Sequence, residues 1–250
     1  MDLAERISNW IKQKVEEAGA EGVVMGISGG VDSSVVASLA KRAVGEKLIG
    51  VIIPCHSEPL DIRYASLVAE KLKIKTERVV LDSLYDKFLE LLPSGKRLAL
   101  ANLKARLRMA TLYFFANNLN YLVVGTGNKS EISVGYFTKY GDGGCDILPL
   151  GDLLKTEVRK LARRLEIPEE IINQVPSAGL WPGQTDEGEI GLSYEDLDEI
   201  ISAIEVGKEP VGGGSVKRKG LISRVKRLIE SSRHKRSPIP VFKTTGKPEL

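Results

Sequence analysis

Residues 22–39 read Gly22-Val-Val-Met-Gly-Ile-Ser-Gly-Gly-Val-Asp-Ser-Ser-Val-Val-Ala-Ser-Leu39. Val23 to Ile27 is a short apolar run of the kind that fills a buried strand. Ser28-Gly29-Gly30 follows as a turn too small to keep a ligand from its backbone. From Val31 the apolar residues switch to helical spacing, at Val31, Val35, Val36, Leu39, Ala40 and Ala43. A strand running through a glycine turn into a helix leaves the first N–H groups of that helix unpaired, where they attract anions.

The turn lacks the Gly-Lys-Ser/Thr ending of a P-loop and the glycine spacing of a dinucleotide fold. It offers instead two glycines, the hydroxyls of Ser28, Ser33 and Ser34, and one carboxylate, Asp32. Amides and hydroxyls hold phosphate oxygens, whereas a lone carboxylate repels them. A Mg²⁺ between Asp32 and the phosphates removes that conflict. The alternative is a tight strand-to-helix turn with a helix-starting Asp.

The rest of the chain frames this stretch. Its 250 residues suffice for a real core and are expected to form a single domain, 1–250. A hydrophobic share of 42% and a charged share of 28% fit an ordinary globular protein, and a net charge of +3 points to no polyelectrolyte partner. Cys55 and Cys145 make no Cys-x-x-Cys pair and His56 and His234 lie far apart, which argues against zinc and against a disulfide framework. Residues 1–17 pattern as an amphipathic helix rather than a signal peptide, and no apolar run reaches membrane-spanning length. A reducing cytoplasm is the expected compartment, with no membrane partner.

Further strands are expected at Lys47–Pro54, Lys75–Val80 and Tyr121–Gly125, and helices at Pro59–Leu72, Leu84–Leu92 and Lys96–Asn118. Strands alternating with helices predict an α/β fold, a doubly wound, Rossmann-like parallel sheet covered on both faces. Thr126–Asp152 is rich in Gly, Asp, Thr and Tyr with little periodicity, a length of irregular chain that is usually functional. Helices return at Leu153–Leu165, Tyr194–Ile204 and Leu221–Ser232, with Val211-Gly-Gly-Gly-Ser215 as a flexible link. Lys217–Lys247 holds eleven Lys or Arg against one acid, Glu230, but few aromatics, which argues against stacked nucleic-acid bases. It reads as a solvated tail or as cations for the phosphates of a small substrate.

Ligands of such a sheet bind beyond the carboxyl ends of its strands, where the winding reverses. The first and fourth strands are each followed within a few residues by an acid, Asp32 and Glu131. Two acids converging at a phosphate site suit Mg²⁺. Lys155, near a helix start, is unfavourable to the helix dipole unless it faces an anion such as triphosphate.

Ser28-Gly-Gly-Val-Asp-Ser33 resembles the pyrophosphate loop of the ATP pyrophosphatase (adenine nucleotide alpha hydrolase-like) superfamily, whose members adenylate a substrate oxygen. Three longer stretches narrow the resemblance: Gly125 to Pro149, Pro176-Ser-Ala-Gly-Leu-Trp-Pro-Gly-Gln-Thr-Asp-Glu187, and Asn102-x-x-Ala-Arg-x-Arg-Met109. They are similar to the ammonia-dependent NAD⁺ synthetases, over roughly Met25 to Arg236.

The resemblance implies ligation of ammonia to deamido-NAD⁺ (nicotinate adenine dinucleotide), with ATP as co-substrate, through an NAD-adenylate. It places ATP on Gly26, Ile27, Ser28, Gly29, Gly30, Val31, Asp32, Ser33, Thr126, Lys155 and Ser177, and Mg²⁺ on Asp32 and Glu131. It places deamido-NAD⁺ on Arg106, Lys139, Asp146, His234 and Lys235, and it implies a homodimer formed on the apolar helix Lys96–Asn118. The substrate carboxylate is itself the nucleophile, so no Ser-His-Asp set or reactive Cys is needed. The second step consumes ammonia, which is mostly ammonium at neutral pH, so a carboxylate that takes its proton is useful. Asp142 reads as that acid or as a turn Asp. No glutaminase segment is evident, so free ammonia is the expected donor. Rival readings are a tRNA-modifying pyrophosphatase using the basic segment and a non-enzymatic ATP-binding module.

Overall fold

In a computed structural model that describes residues 1–208 and 216–243, a four-stranded parallel sheet is flanked by twelve α-helices among those residues. In chain order they are α1 (Leu3–Glu17), β1 (Gly22–Gly26), α2 (Val31–Val44), β2 (Leu48–Ile52), α3 (Pro59–Lys71), β3 (Lys75–Arg78), α4 (Asp82–Leu91), α5 (Arg97–Leu119), β4 (Tyr121–Val123), α6 (Lys129–Val134), α7 (Lys155–Arg164), α8 (Glu169–Ile172), α9 (Asp186–Ile190), α10 (Tyr194–Glu205), α11 (Val216–Ser231) and α12 (Arg233–Arg236). The expected link Val211–Ser215 and the end of the basic segment, 244–247, lie outside the described residues.

The strand order is β3-β2-β1-β4, with Val23 opposite Leu48 in one pairing and Leu122 in the other. Every residue of β2 is buried, as are four of the five in β1, which is why both read as unbroken apolar runs. Edge strand β3 exposes all four of its residues, Lys75, Thr76, Glu77 and Arg78, and this charge discourages pairing with another chain.

Side chains alternate across β1. Val23, Met25 and Ile27 join a core with α1, α2, α3 and α7, while Val24 joins a second core with β2 and α5 on the opposite face. The chain therefore winds β1-α2-β2-α3-β3 on one face and returns through α4 and α5 on the other to place β4 beside β1. The doubly wound α/β expectation holds, and the winding reverses between β1 and β4. A third core, built on Tyr194, Leu197, Ile200 and Val225, joins α10 and α11 to α6.

The first turn is made by Gly29, whose φ is +87° and whose Cβ, if it had one, would lie 2.4 Å from the Asp61 carbonyl oxygen. Any other residue there would both strain the backbone and push α3 away. The stretch expected to be irregular contains one short helix, α6. It starts at a capping box in which the Asn128 side chain accepts from Glu131 N–H and the Glu131 side chain accepts from Asn128 N–H.

Candidate active site

The glycine turn is braced from within. Ser33 and Ser34 Oγ each donate to the Gly30 carbonyl at 2.9 Å, and Ser28 Oγ donates to Ser33 Oγ at 3.0 Å. All three hydroxyls expected to meet phosphate thus also shape the turn. Ser28 is exposed, and the Gly30 cap leaves the start of α2 without a side-chain acceptor. The helix N–H groups are correspondingly open to an anion.

Lys155 is the first residue of α7, and its placement is enforced. Its N–H donates to Ser130 Oγ at 2.9 Å, the Ser130 hydroxyl donates to Asp198, and Thr156 N–H donates to the other Asp198 oxygen at 2.9 Å. Asp198, from α10, thereby caps α7. The Lys155 ammonium contacts Asp32 Oδ2 and lies 3.4 Å from Glu131 Oε1, so both expected metal acids converge on one cation. Asn128 Nδ2 donates to the other Asp32 oxygen at 3.0 Å.

Tyr194 closes the cluster from below. Its hydroxyl lies 3.0 Å from Asp186 Oδ2 and 3.3 Å from Glu131 Oε1, and its ring centre is 5.0 Å from the Lys155 ammonium. Burial pushes the Glu131 carboxyl up, to about 7, against the pull of Lys155. Burial also acts to lower Lys155, but Asp32 and Glu131 outweigh it and hold the ammonium above its ordinary value. Burial raises Asp186 as well.

A cavity of about 570 Å³ opens over this cluster at the carboxyl ends of the strands. Of the residues expected from sequence, it is lined by Gly26, Ile27, Ser28, Gly30, Val31, Asp32, Ser33, Thr126, Glu131, Asp142, Lys155, Ser177 and Lys235. Asp142 Oδ1 accepts from Thr138 N–H at 2.9 Å, so it shapes its own turn as well as facing the cavity. Burial raises its carboxyl, and that hydrogen bond opposes the shift. Lys235 Nζ donates to the carbonyls of Gly135 and Phe137 at 2.7 and 2.8 Å.

Gly29, Arg106, Lys139, Asp146 and His234 are not part of the cavity wall. Three of them form a chain beside it: Arg106 donates to the Lys139 carbonyl at 3.3 Å, and Lys139 Nζ donates to the His234 carbonyl at 2.8 Å. Asp146 stands apart, its two oxygens accepting from Tyr113 OH at 2.9 Å and Val123 N–H at 2.7 Å at the edge of β4.

Sequence reasoning missed Asn128, Asp186 and Tyr194. Asn128 was findable, because Asn-x-x-Glu at 128–131 is a capping-box signature. Tyr194 was not. It sits in an apolar helical pattern and reads as core, which it also is, at 1% exposure.

Fold and site together define a class, an α/β protein with a cavity at the switch point of a doubly wound sheet, walled by an anion-ready helix start and a lysine held by carboxylates. A family model described as NAD synthase matches residues 3–239, and the chain belongs to that family. It is 49% identical over 240 residues to the NH(3)-dependent NAD(+) synthetase of Carboxydothermus hydrogenoformans, covering 94% of each chain. Among solved structures it matches an NMN synthetase from Francisella tularensis at a TM-score of 0.84 and 36% identity, over 99% of this chain and 98% of that one. It also matches an NH3-dependent NAD synthetase from Campylobacter jejuni at a TM-score of 0.81 and 30% identity, over 97% and 100%.

Proposed function

We propose that the chain is a ligase that makes NAD⁺ by joining ammonia to the carboxyl group of deamido-NAD⁺, using ATP. The observation that carries this reading is one cavity that joins two kinds of chemistry. On one side lie an anion-ready helix start and the Asp32–Lys155–Glu131 cluster, and on the other lie Asp142 and Lys235.

The ATP phosphates are assigned to the glycine turn and Lys155, with Thr126 and Ser177 lining the nucleotide's course. Asp32 and Glu131 fit a divalent cation, since both are oxygen donors and reach a common point, the one where Lys155 Nζ now lies between them. When bound there, Mg²⁺ would supply charge neutralisation to the phosphates. The nicotinate carboxylate attacks the α-phosphorus, its oxygen forming the new P–O bond as pyrophosphate departs with the electron pair. The protein's contribution is to align the two and to stabilise the leaving charge with the turn N–H groups and Lys155. Ammonia then attacks the adenylated carbonyl carbon. Asp142 takes the proton, and AMP leaves with the C–O bonding electrons.

Arg106, Lys139 and His234, linked to one another beside the cavity, are assigned to the far end of the dinucleotide, with Lys235 at the cavity wall; Asp146 is assigned to the same substrate on resemblance alone. A homodimer is part of the reading. Phe114 of α5 is 66% exposed, and a second copy covering it would add wall beside Arg106 of the same helix. Each subunit is read as a single synthetase domain, 1–250, of a cytoplasmic protein; among the described residues no helix is long and apolar enough to cross a membrane.

Incubation with Mg-ATP, ammonium and deamido-NAD⁺ should yield NAD⁺, AMP and pyrophosphate in equal amounts. The likeness to an NMN synthetase supports a second reading, in which nicotinate mononucleotide is the acid. Running both acids in parallel decides between them by kcat/KM. Turnover of neither would overturn the assignment.

A further inference from the structure

The cavity contains a cation that no step above uses. Arg108 comes from α5 and lines the cavity with Asn102, Ala105 and Met109 of the same helix. Its guanidinium is held in place by Nε donating to the Ile53 carbonyl at 3.2 Å and Nη2 donating to Ser57 Oγ at 3.1 Å. Both partners are neutral, and Nη1 is used by neither bond. Lys155, by contrast, has its charge balanced by two carboxylates. Asp61 and Asp142 act on Arg108 through space, with no hydrogen bond to it. A guanidinium fixed by neutral acceptors, against Ala105, Met109 and Leu112, sits where pairing with an incoming anion is strengthened by weak screening.

Topology indicates which anion. The glycine turn feeds α2, on the sheet face that carries Met25, while α5 covers the opposite face with Val24. Triphosphate held at the turn and Lys155 therefore occupies the first face. An in-line attack brings the acid to the α-phosphorus from the side away from the leaving pyrophosphate, and α5 with Arg108 covers the sheet face opposite the one that carries the turn. Resting on the ligase reading above, we propose that Arg108 receives the carboxylate of the nicotinate substrate through its open Nη1 edge and so distinguishes the acid from the amide product. The amide carries no charge, so the same contact is weak once ammonia has been added, which favours release of product over substrate.

Calorimetric titration of wild type, Arg108→Met and Arg108→Lys with deamido-NAD⁺, with NAD⁺ and with Mg-ATP tests this, because the two dinucleotides differ only at the carboxyl group. A charge-assisted hydrogen bond predicts that Arg108→Met weakens deamido-NAD⁺ binding about 10- to 100-fold. NAD⁺ and Mg-ATP binding should stay near wild type, and Arg108→Lys should fall between. Equal weakening of both dinucleotides would mark Arg108 as a prop for Ile53 and Ser57 and overturn the assignment. Weakening of Mg-ATP alone, or unchanged binding throughout, overturns it too. If Arg108→Met does not fold, the lysine variant decides by the same acid-to-amide ratio. Nicotinate mononucleotide and its amide are titrated alongside. Wild-type protein that binds neither acid overturns the ligase reading and this assignment together, whereas an undiminished acid preference in the variants overturns this assignment alone.

Discussion

Lys155 and Asp32, 123 residues apart, meet as a nearly buried ion pair between the first turns of two helices, with 3% and 16% of their side chains exposed. A lysine at a helix start opposes the helix dipole. It is held there because Asp198 caps α7 and because Asp32 and Glu131 supply the countercharge. The pair ties the glycine turn to the second half of the chain.

Removing the ammonium should therefore be felt in stability as well as in chemistry. Lys155→Met leaves two carboxylates facing each other and is expected to cost about 3 kcal/mol or more, as for a broken buried pair. Mg²⁺ should restore part of the loss, because a cation that binds only the folded state stabilises it. Urea unfolding with and without Mg²⁺ measures both. An unchanged midpoint would mean the pair carries no stability.

The two acids should act on the first half-reaction. Asp32→Asn and Glu131→Gln are each expected to slow pyrophosphate release at least about 100-fold, the scale of losing one preorganised electrostatic stabiliser. Pyrophosphate release in single turnover reads this directly. Near-normal rates at saturating Mg²⁺ would remove them from the site.

Asp142 should act on the second. Asp142→Asn is expected to form the adenylate and convert it slowly, with partial recovery at higher pH as ammonium gives way to ammonia. The wild-type enzyme has a matching signature. Asp142 must be ionised to take a proton, and burial raises its carboxyl, so activity should fall off with acid at a pH above the ordinary carboxylate range. In the variant the Asp142 contribution to that limb should be absent, leaving those of Glu131 and of free ammonia. Equal slowing of adenylate formation would make Asp142 a substrate-binding residue instead.

Neither cysteine should be reactive. Burial raises both thiols, that of Cys145 to about 11, so at pH 8 only about one Cys145 in a thousand is thiolate. Iodoacetamide should label the native chain far more slowly than the unfolded one and leave activity intact. Rapid labelling with loss of activity would revive a thiol-based tRNA-modifying reading.

The dimer is tested at Phe114. Phe114→Glu puts a charge at an exposed apolar position of α5 and should convert a species of about twice 27.3 kDa into one of the chain mass. Acid-substrate binding should weaken with it, while Mg-ATP binding should not. Sedimentation with paired titrations checks this. An active wild-type monomer would overturn the dimer.

Much of this protein was written locally. The run Val23–Ile27, the turn at Gly29 and the helical spacing from Val31 are short-range patterns, and β1, the turn and α2 formed as they read. The alternation of strands and helices determined the doubly wound sheet, because parallel neighbours require a crossover helix. Asp32 and Glu131 were legible as acids following the first and fourth strands, since a switch point lies between such strands by topology. What the tertiary structure alone decided is which distant groups share one space. Tyr194 reads as core and proves also to bridge Glu131 and Asp186, because α10 folds back under the cluster. Arg108 reads as one more arginine of a long helix. It becomes a cavity cation held by neutral acceptors only because α5 crosses the far face of the sheet, with the Ile53 carbonyl and Ser57 hydroxyl at its guanidinium. Periodicity records which side of an element is buried. It does not record what lies across the gap, because that depends on contacts between residues far apart in the chain.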